Sequence, residues 1–172
     1  MSLAPSNHGR ILSLHVHPEM AGEPFLQVDE LNLVADKGIR EDKRYFGRPG
    51  RDGKPFKRQV TLIEREMIQT HADALGADFS PGDVRSNIET AGIDLIALMG
   101  HDVQVGEAVL RFVEPRTPCK QMDALAPGLR ELMEDGRQGV IAMVMQSGRV
   151  RADDCVAIIS AAPCGTPRET NS

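Results

Sequence analysis

Hydrophobic and polar residues alternate over residues 10–17, with Ile11, Leu12, Leu14 and Val16 set against Ser13, His15 and His17. This pattern predicts a first strand that ends at Pro18. A second short strand is expected over 28–34, followed by the turn Ala35-Asp36-Lys37-Gly38. Residues 59–63 form a third, running straight into a helix over 64–75. Met67, Ile68, Ala72 and Leu75 share one face of that helix, the early glutamates suit its positive start, Gly76 supplies the stop, and His71 falls at the edge of the apolar stripe. Residues 80–89 read as a turn feeding a short strand, which places Arg85 and Asn87 on one face. Further strands are expected over 103–105, 108–113, 139–145 and 155–159, the last with Cys155 in the core. Helical spacing of Leu129, Leu132 and Met133 lies between Pro127 and Gly136. Many short strands separated by close turns predict a mainly β domain, a small barrel or sandwich with a few helices.

Composition narrows this picture. A chain of 172 residues is most simply one domain, expected over 10–160 with flexible ends at 1–9 and 161–172. Aromatic residues are only 3% with no tryptophan, so the core must rest on aliphatic side chains. The net charge of −5 argues against a nucleic-acid-coated surface, and the scarcity of rings argues against base stacking. Cys119, Cys155 and Cys164 form no CxxC pair, so neither a zinc site nor a disulfide framework is expected. With no membrane-length apolar run and no signal-peptide pattern, a cytoplasmic protein without membrane contact is expected.

Two stretches attract chemical interest. Between residues 43 and 58, Lys43, Arg44, Arg48, Arg51, Lys54, Lys57 and Arg58 are seven cations against the single acid Asp52. Glycines at 47, 50 and 53 make this a loop whose free amides suit an anion, the alternative being a solvated charged loop. In Glu114-Pro115-Arg116-Thr117-Pro118-Cys119-Lys120-Gln121, the two prolines stiffen the chain that carries Cys119. Arg116 and Lys120 favour its thiolate if they lie near the sulfur, and the thiolate is the form that attacks electrophiles or binds a soft metal. The alternative is a small buried hydrophobe. Arg85 and Asn87 offer one charged donor and one amide that suit a phosphate or a heterocycle edge, or equally cap neighbouring backbone. His15 and His17 are spaced as a metal pair, but no third ligand is near, which favours exposed strand histidines.

The order of motifs resembles a known family. Gly38-Ile39-Arg40-Glu41-Asp42-Lys43-Arg44-Tyr45, Arg58-Gln59-Val60-Thr61-Leu62-Ile63-Glu64, Pro81-Gly82 with Asn87-Ile88, Gly92-Ile93-Asp94-Leu95 and Pro118-Cys119 together are similar to the MOSC domain, found at the C-terminus of molybdenum-cofactor sulfurases and as a stand-alone bacterial protein. The resemblance implies a β-barrel-like fold in which Cys119 carries sulfur or ligates molybdenum of the molybdopterin cofactor. Relatives commonly read Gly-Asp-Arg-His or Gly-Asp-Arg-Tyr where this chain has Glu41-Asp42-Lys43-Arg44-Tyr45, so the glycine is lost and the basic position shifts between two residues.

Three functions are expected from the residues and the resemblance together. The first is a molybdenum-cofactor-binding oxidoreductase that reduces N-hydroxylated compounds. Cys119 ligates the metal, Arg44, Arg58, Arg85, Asn87 and Arg116 hold the pterin and its phosphate, and an external electron-transfer reductase is the partner. The second is a persulfide sulfur carrier, loaded on Cys119 by a cysteine desulfurase. The third is a non-catalytic module that binds an anion or nucleotide through the basic loop.

Overall fold

The computed structural model of the chain describes residues 8–159. Seven strands close into a barrel: β1 (His8–Val16), β6 (Ile88–Ala91), β5 (Val60–Glu64), β9 (Val140–Gln146), β8 (Ala108–Pro115), β7 (Asp102–Val105) and β11 (Cys155–Ile158), which pairs back onto β1. Neighbours run antiparallel except β5 and β6, which are parallel because α1 (Arg65–Leu75) carries the chain back between them. β2 (Leu26–Val28) hangs on β1, while β3 (Glu30–Val34), β4 (Gly38–Ile39) and β10 (Gly148–Arg151) form a separate small sheet. The mainly β, barrel-like fold expected from the sequence is thus the fold observed.

The barrel is filled by the inward-pointing half of each strand. Ala108, Leu110 and Phe112 of β8 and Val140, Ala142 and Val144 of β9 join Ile11, Leu14, Leu62 and Ile88 in one core. β5 is buried on both faces, since Ile63 points outward into a second cluster with Ile68 and Ala72 of α1, Met122 of α2 (Lys120–Leu125) and Leu129 of α3 (Leu129–Leu132). That outer cluster fixes α2, and through it the segment that carries Cys119. His71 is buried and not at a boundary as expected, its Nε2 2.8 Å from the carbonyl of Arg137, so it is a satisfied scaffold residue.

The sequence pattern and the structure differ locally. The expected strand over 28–34 divides at Asp29 into β2 and β3, β10 was not anticipated, and the helix after Pro127 is a single turn. α2 begins directly after Cys119, where the preceding prolines had masked it. Arg85 adopts a left-handed φ of 61°, so β6 starts only at Ile88 and alternation does not apply between Arg85 and Asn87. Cys155 is half-buried, in place of the core position expected. His8 and Gly9 already belong to β1. The rest of the expected flexible ends, and Cys164, lie outside the described residues.

Two features steer the chain toward Cys119. A register shift between Phe112 and Glu114 leaves Val113 as an extra residue against β9 and bends the end of β8. Gly139 then meets β5 so closely that a Cβ there would lie 1.9 Å from the carbonyl oxygen of Leu62, and its φ of +81° also excludes ordinary side chains. The carbonyl of Gly139 accepts the Arg116 N–H at 3.0 Å, so this approach sets where Arg116 leaves the barrel. Gly139→Ala should therefore destabilise the protein by about 3 kcal/mol or more, read as a lower denaturant midpoint.

Glu64 ends β5 with Oε1 accepting the Leu95 N–H at 2.9 Å, while its buried Oε2 has no partner. Burial pushes this carboxyl above its ordinary value, although the bond from Leu95 opposes the shift. Its folded-state pKa is raised, so the folded state favours the proton, and stability is lost as pH rises from the ordinary carboxylate range through the folded value. Glu64→Gln should raise Tm at pH 7 and leave it unchanged near about pH 4, checked by paired thermal melts.

Candidate functional site

Cys119 is exposed and stands at the N-terminal boundary of α2, with extended backbone at φ −112° and ψ 173°. Its Sγ lies 4.0 Å from the Oε1 of Gln121, a weak donor contact that leaves the sulfur accessible. Beside it, a cleft of about 320 Å³ is lined by Gly22, Pro24, Asp83, Arg85, Gln121 and Leu125. The buried-hydrophobe reading of this cysteine does not hold.

Arginines gather behind the thiol. Arg116 is only 6% exposed, and its buried Nη1 has no hydrogen-bond partner. Burial first, then the Arg58 and Arg85 charges, push its guanidinium down to about 9, while a Cys119 thiolate and Tyr45 pull it back. Arg85 is likewise pushed down, by burial and by Arg44 and Arg58, and raised by Cys119 and Tyr45. Cys119, Tyr45 and these four arginines therefore act on one another in one electrostatic cluster. Lys120, the other expected neighbour, is exposed on α2.

Aromatic rings support the arginines. Arg44, Arg48 and Arg58 lie 5.6–5.8 Å from the Tyr45 centroid, and Arg85 lies 4.9 Å over Phe25. Arg85 Nη1 also donates to the carbonyl of Glu23 at 3.1 Å. Its left-handed backbone, unusual for a bulky residue, is the price of turning this side chain over Phe25. The low aromatic content misled the sequence reading here, because Phe25, Tyr45, Phe46 and Phe56 are concentrated around the basic loop.

Asn87 is buried, and its amide is spent inside the protein. Its Oδ1 accepts from the backbone N–H and the hydroxyl of Thr61, both at 3.0 Å, and its Nδ2 donates to the His15 carbonyl at 3.1 Å and to Asp42 Oδ2 at 3.3 Å. It braces the site and offers no free hydrogen-bonding edge. Asp42 Oδ2 in turn lies 2.6 Å from His17 Nδ1. The two histidines expected on an exposed strand face are instead covered, His15 buried at 0% exposure and His17 half-buried with a side chain 10% exposed. His15 holds the Ser86 carbonyl at 3.0 Å, so the pair shares no common ligand direction that would hold a metal. Among the described residues, no three His, Cys, Asp or Glu side chains are grouped to hold a metal ion.

The basic loop over 43–58 is irregular, as expected, but it divides its cations. Arg44, Arg48 and Arg58 face Tyr45, whereas Arg51, Lys54 and Lys57 line a separate cavity of about 740 Å³ together with Phe56 and Met143. Arg58 touches both. The sequence pattern read His17 as an exposed strand histidine and gave Phe25 no role in the site. The one available signal was His17 at the strand exit, directly before Pro18.

The profile of the MOSC domain family matches residues 22–157. The chain belongs to the MOSC domain family. The family is associated with the molybdenum cofactor and with sulfurase-like function. No curated protein matches the sequence. Among solved structures, the MOSC chain is similar to the YuaD protein from Bacillus subtilis, at 19% identity and a TM-score of 0.71, covering 87% of this chain and 94% of that one. YiiM from Escherichia coli aligns at 23% identity and a TM-score of 0.63, over 91% of this chain and 73% of that one. YiiM from Geobacillus stearothermophilus gives 17% and 0.67, over 88% and 75%. These likenesses are likenesses of fold. Among the described residues, no helix of this MOSC domain is long and apolar enough to cross a membrane.

An unpaired buried guanidinium is a cost that an anion would offset. Because the folded-state pKa of Arg116 is lowered, the cost is fully present at neutral pH and fades only as pH rises above about 9. In the ligand-free protein, Arg116→Met should therefore leave stability unchanged or raise it by up to about 3 kcal/mol at pH 7. Pyrophosphate should raise the Tm of the wild type and not that of the variant, which parallel melts with and without the anion would check.

Proposed function

We propose that this MOSC domain binds the molybdenum cofactor through Cys119 and the arginine cluster, and reduces N-hydroxylated compounds with electrons from a separate protein reductase. The observation that carries this reading is the Arg116 guanidinium, buried within electrostatic reach of an exposed cysteine and of Arg58 and Arg85, with Arg44 acting on Arg85 in turn, and lacking a partner on Nη1. Such a cluster resists its own repulsion most cheaply when an anion sits in it, and a guanidinium fork suits phosphate oxygens. The donor set fits a phosphate-bearing pterin whose metal takes a soft thiolate.

In this arrangement Arg58, Arg85 and Arg116 hold the phosphate and pterin edges, with Arg44 at the rim. Cys119 provides the sulfur ligand, and Asn87 contributes by fixing Thr61 and Asp42 behind them. When bound, the cofactor would supply two-electron redox chemistry. The protein positions the substrate in the cleft beside Arg85 and Gln121.

A second reading is favoured by the exposure of Cys119. A sulfur carrier must present its thiol to a cysteine desulfurase, and a persulfide anion would find the same cations.

The deciding measurement is molybdenum and pterin content of wild-type and Cys119→Ala protein from a host that makes the cofactor. Stoichiometric molybdenum in the wild type and its loss in the variant are expected, together with reduction of an amidoxime by the loaded wild type when a reductase is supplied. Absence of metal and pterin from both, with one sulfur atom gained on Cys119 after treatment with desulfurase and cysteine, would establish the carrier instead.

A further inference from the structure

His17 leaves the end of β1 with its imidazole nine-tenths buried and its Nδ1 2.6 Å from Asp42 Oδ2. Asp42 is 3% exposed and receives a second donor on the same oxygen, the Nδ2 of Asn87 at 3.3 Å. Burial alone would raise this carboxyl, but the hydrogen bonds and charge of His17, helped by Asn87, outweigh it and hold it below its ordinary value. Asp42 is therefore an acceptor at neutral pH, and Nδ1 of His17 carries the hydrogen between them. The other ring nitrogen, Nε2, has no hydrogen-bond partner among the described residues.

The surroundings of the ring connect it to the arginine cluster. The His17 ring packs 4.3 Å from Phe25 and 4.9 Å from Tyr45. Those two rings carry Arg85 on one side and Arg44, Arg48 and Arg58 on the other. Asp42 and Tyr45 are the titratable groups that contact His17, and the arginines are the charges stacked behind its neighbours. His17 thus stands one aromatic ring away from the charges that surround Cys119.

Cleaving an N–O bond reductively, R–NHOH + 2e⁻ + 2H⁺ → R–NH₂ + H₂O, consumes two protons as well as two electrons. The cluster is poor in proton sources at neutral pH, because its arginines, Arg116 at about 9 included, keep their protons there and Cys119 is assigned to the metal. We propose that His17 is the proton donor at this site, held in one tautomer and orientation by Asp42 and Asn87. His17 acts as its imidazolium: with Nδ1–H held on Asp42, the proton on Nε2 passes to the hydroxyl oxygen as the N–O bond breaks and water departs, leaving the ring neutral. The electron pair originates in the protein reductase and is relayed by the redox chemistry the bound cofactor would supply. The ring regains a proton from solvent, and a second transfer delivers the proton to nitrogen. This inference rests on the reductase reading above.

The test uses cofactor-loaded wild type, His17→Ala and Asp42→Asn, with reduced viologen as electron donor and an amidoxime as substrate. His17→Ala is expected to keep its molybdenum and KM and to lose about 100-fold in kcat. Added imidazole should restore part of that rate, and one ionisation should disappear from the kcat pH profile. In the apoprotein, imidazole ¹⁵N NMR should find neutral His17 protonated on Nδ1, an assignment that Asp42→Asn should weaken. Equal kcat in wild type and His17→Ala, or a neutral ring protonated on Nε2, overturns the inference and leaves the reductase reading standing. A rate that falls only in proportion to lost molybdenum also overturns it. Molybdenum-loaded wild type that is itself inactive overturns both.

Discussion

The amide of Asn87 is the contact on which the rest of the architecture depends. Two donors and two acceptor positions are all it has, and each is used: Thr61 on β5 twice, the His15 carbonyl on β1, and Asp42 in the loop after β4. The Asn87 N–H also reaches the Thr61 hydroxyl at 3.0 Å, so strand and loop are locked in both directions. A buried amide left partly unpaired costs on the order of 1–3 kcal/mol per missing bond, which makes this knot hard to deform. The parallel join between β5 and β6, the position of the basic loop and the orientation of His17 are all set by one side chain that no ligand needs to touch.

A second constraint works in the opposite sense. Arg116 is as buried as Asn87, yet its Nη1 is unsatisfied and its nearest charges repel it. The chain enforces this with backbone it cannot easily relax, the close approach of Gly139 to β5 and the bulge at the end of β8. Nothing in the packing demands a cation there, and an aliphatic side chain would fill the space at lower cost. The arrangement is understandable as preorganisation: the repulsion is built in during folding, and an anion relieves it on arrival.

How much of this was legible beforehand differs by scale. The continuous apolar run over 139–145 and the strand over 108–113, set off by the turn at Gly106-Glu107, are legible because both fill the barrel core. Alternation was legible over 10–17. It failed at 85–87, where a left-handed arginine replaces strand geometry. α2 was hidden by Pro118, since a six-residue helix carries too little periodicity to be read past a proline. Cys119 and the arginines were legible as composition, but their convergence is a matter of distance, made by β8, the basic loop and the turn before β6 meeting at one end of the barrel. His17 was misjudged because alternation placed it on an outer face, whereas Phe25 and Tyr45 come from loops that cover it.

The satisfied and unsatisfied polar groups therefore separate two kinds of residue that look alike in sequence. Asn87 and His71 are buried with their hydrogen-bonding capacity spent within the protein, and they act as structure. Arg116 keeps an idle donor, His17 keeps an idle ring nitrogen, and Cys119 keeps an exposed sulfur. Arg116 feels both Cys119 and Tyr45, and His17 packs against Tyr45 and Phe25. For Arg116, a fold selected for stability alone would have paired or replaced the group, since an unpaired polar group is where burial costs most. Other buried polar atoms also lack partners, Glu64 Oε2 and His15 Nε2 among them, so it is the gathering of arginines around an exposed thiol, more than any single idle group or motif, that localises the chemistry of the molecule.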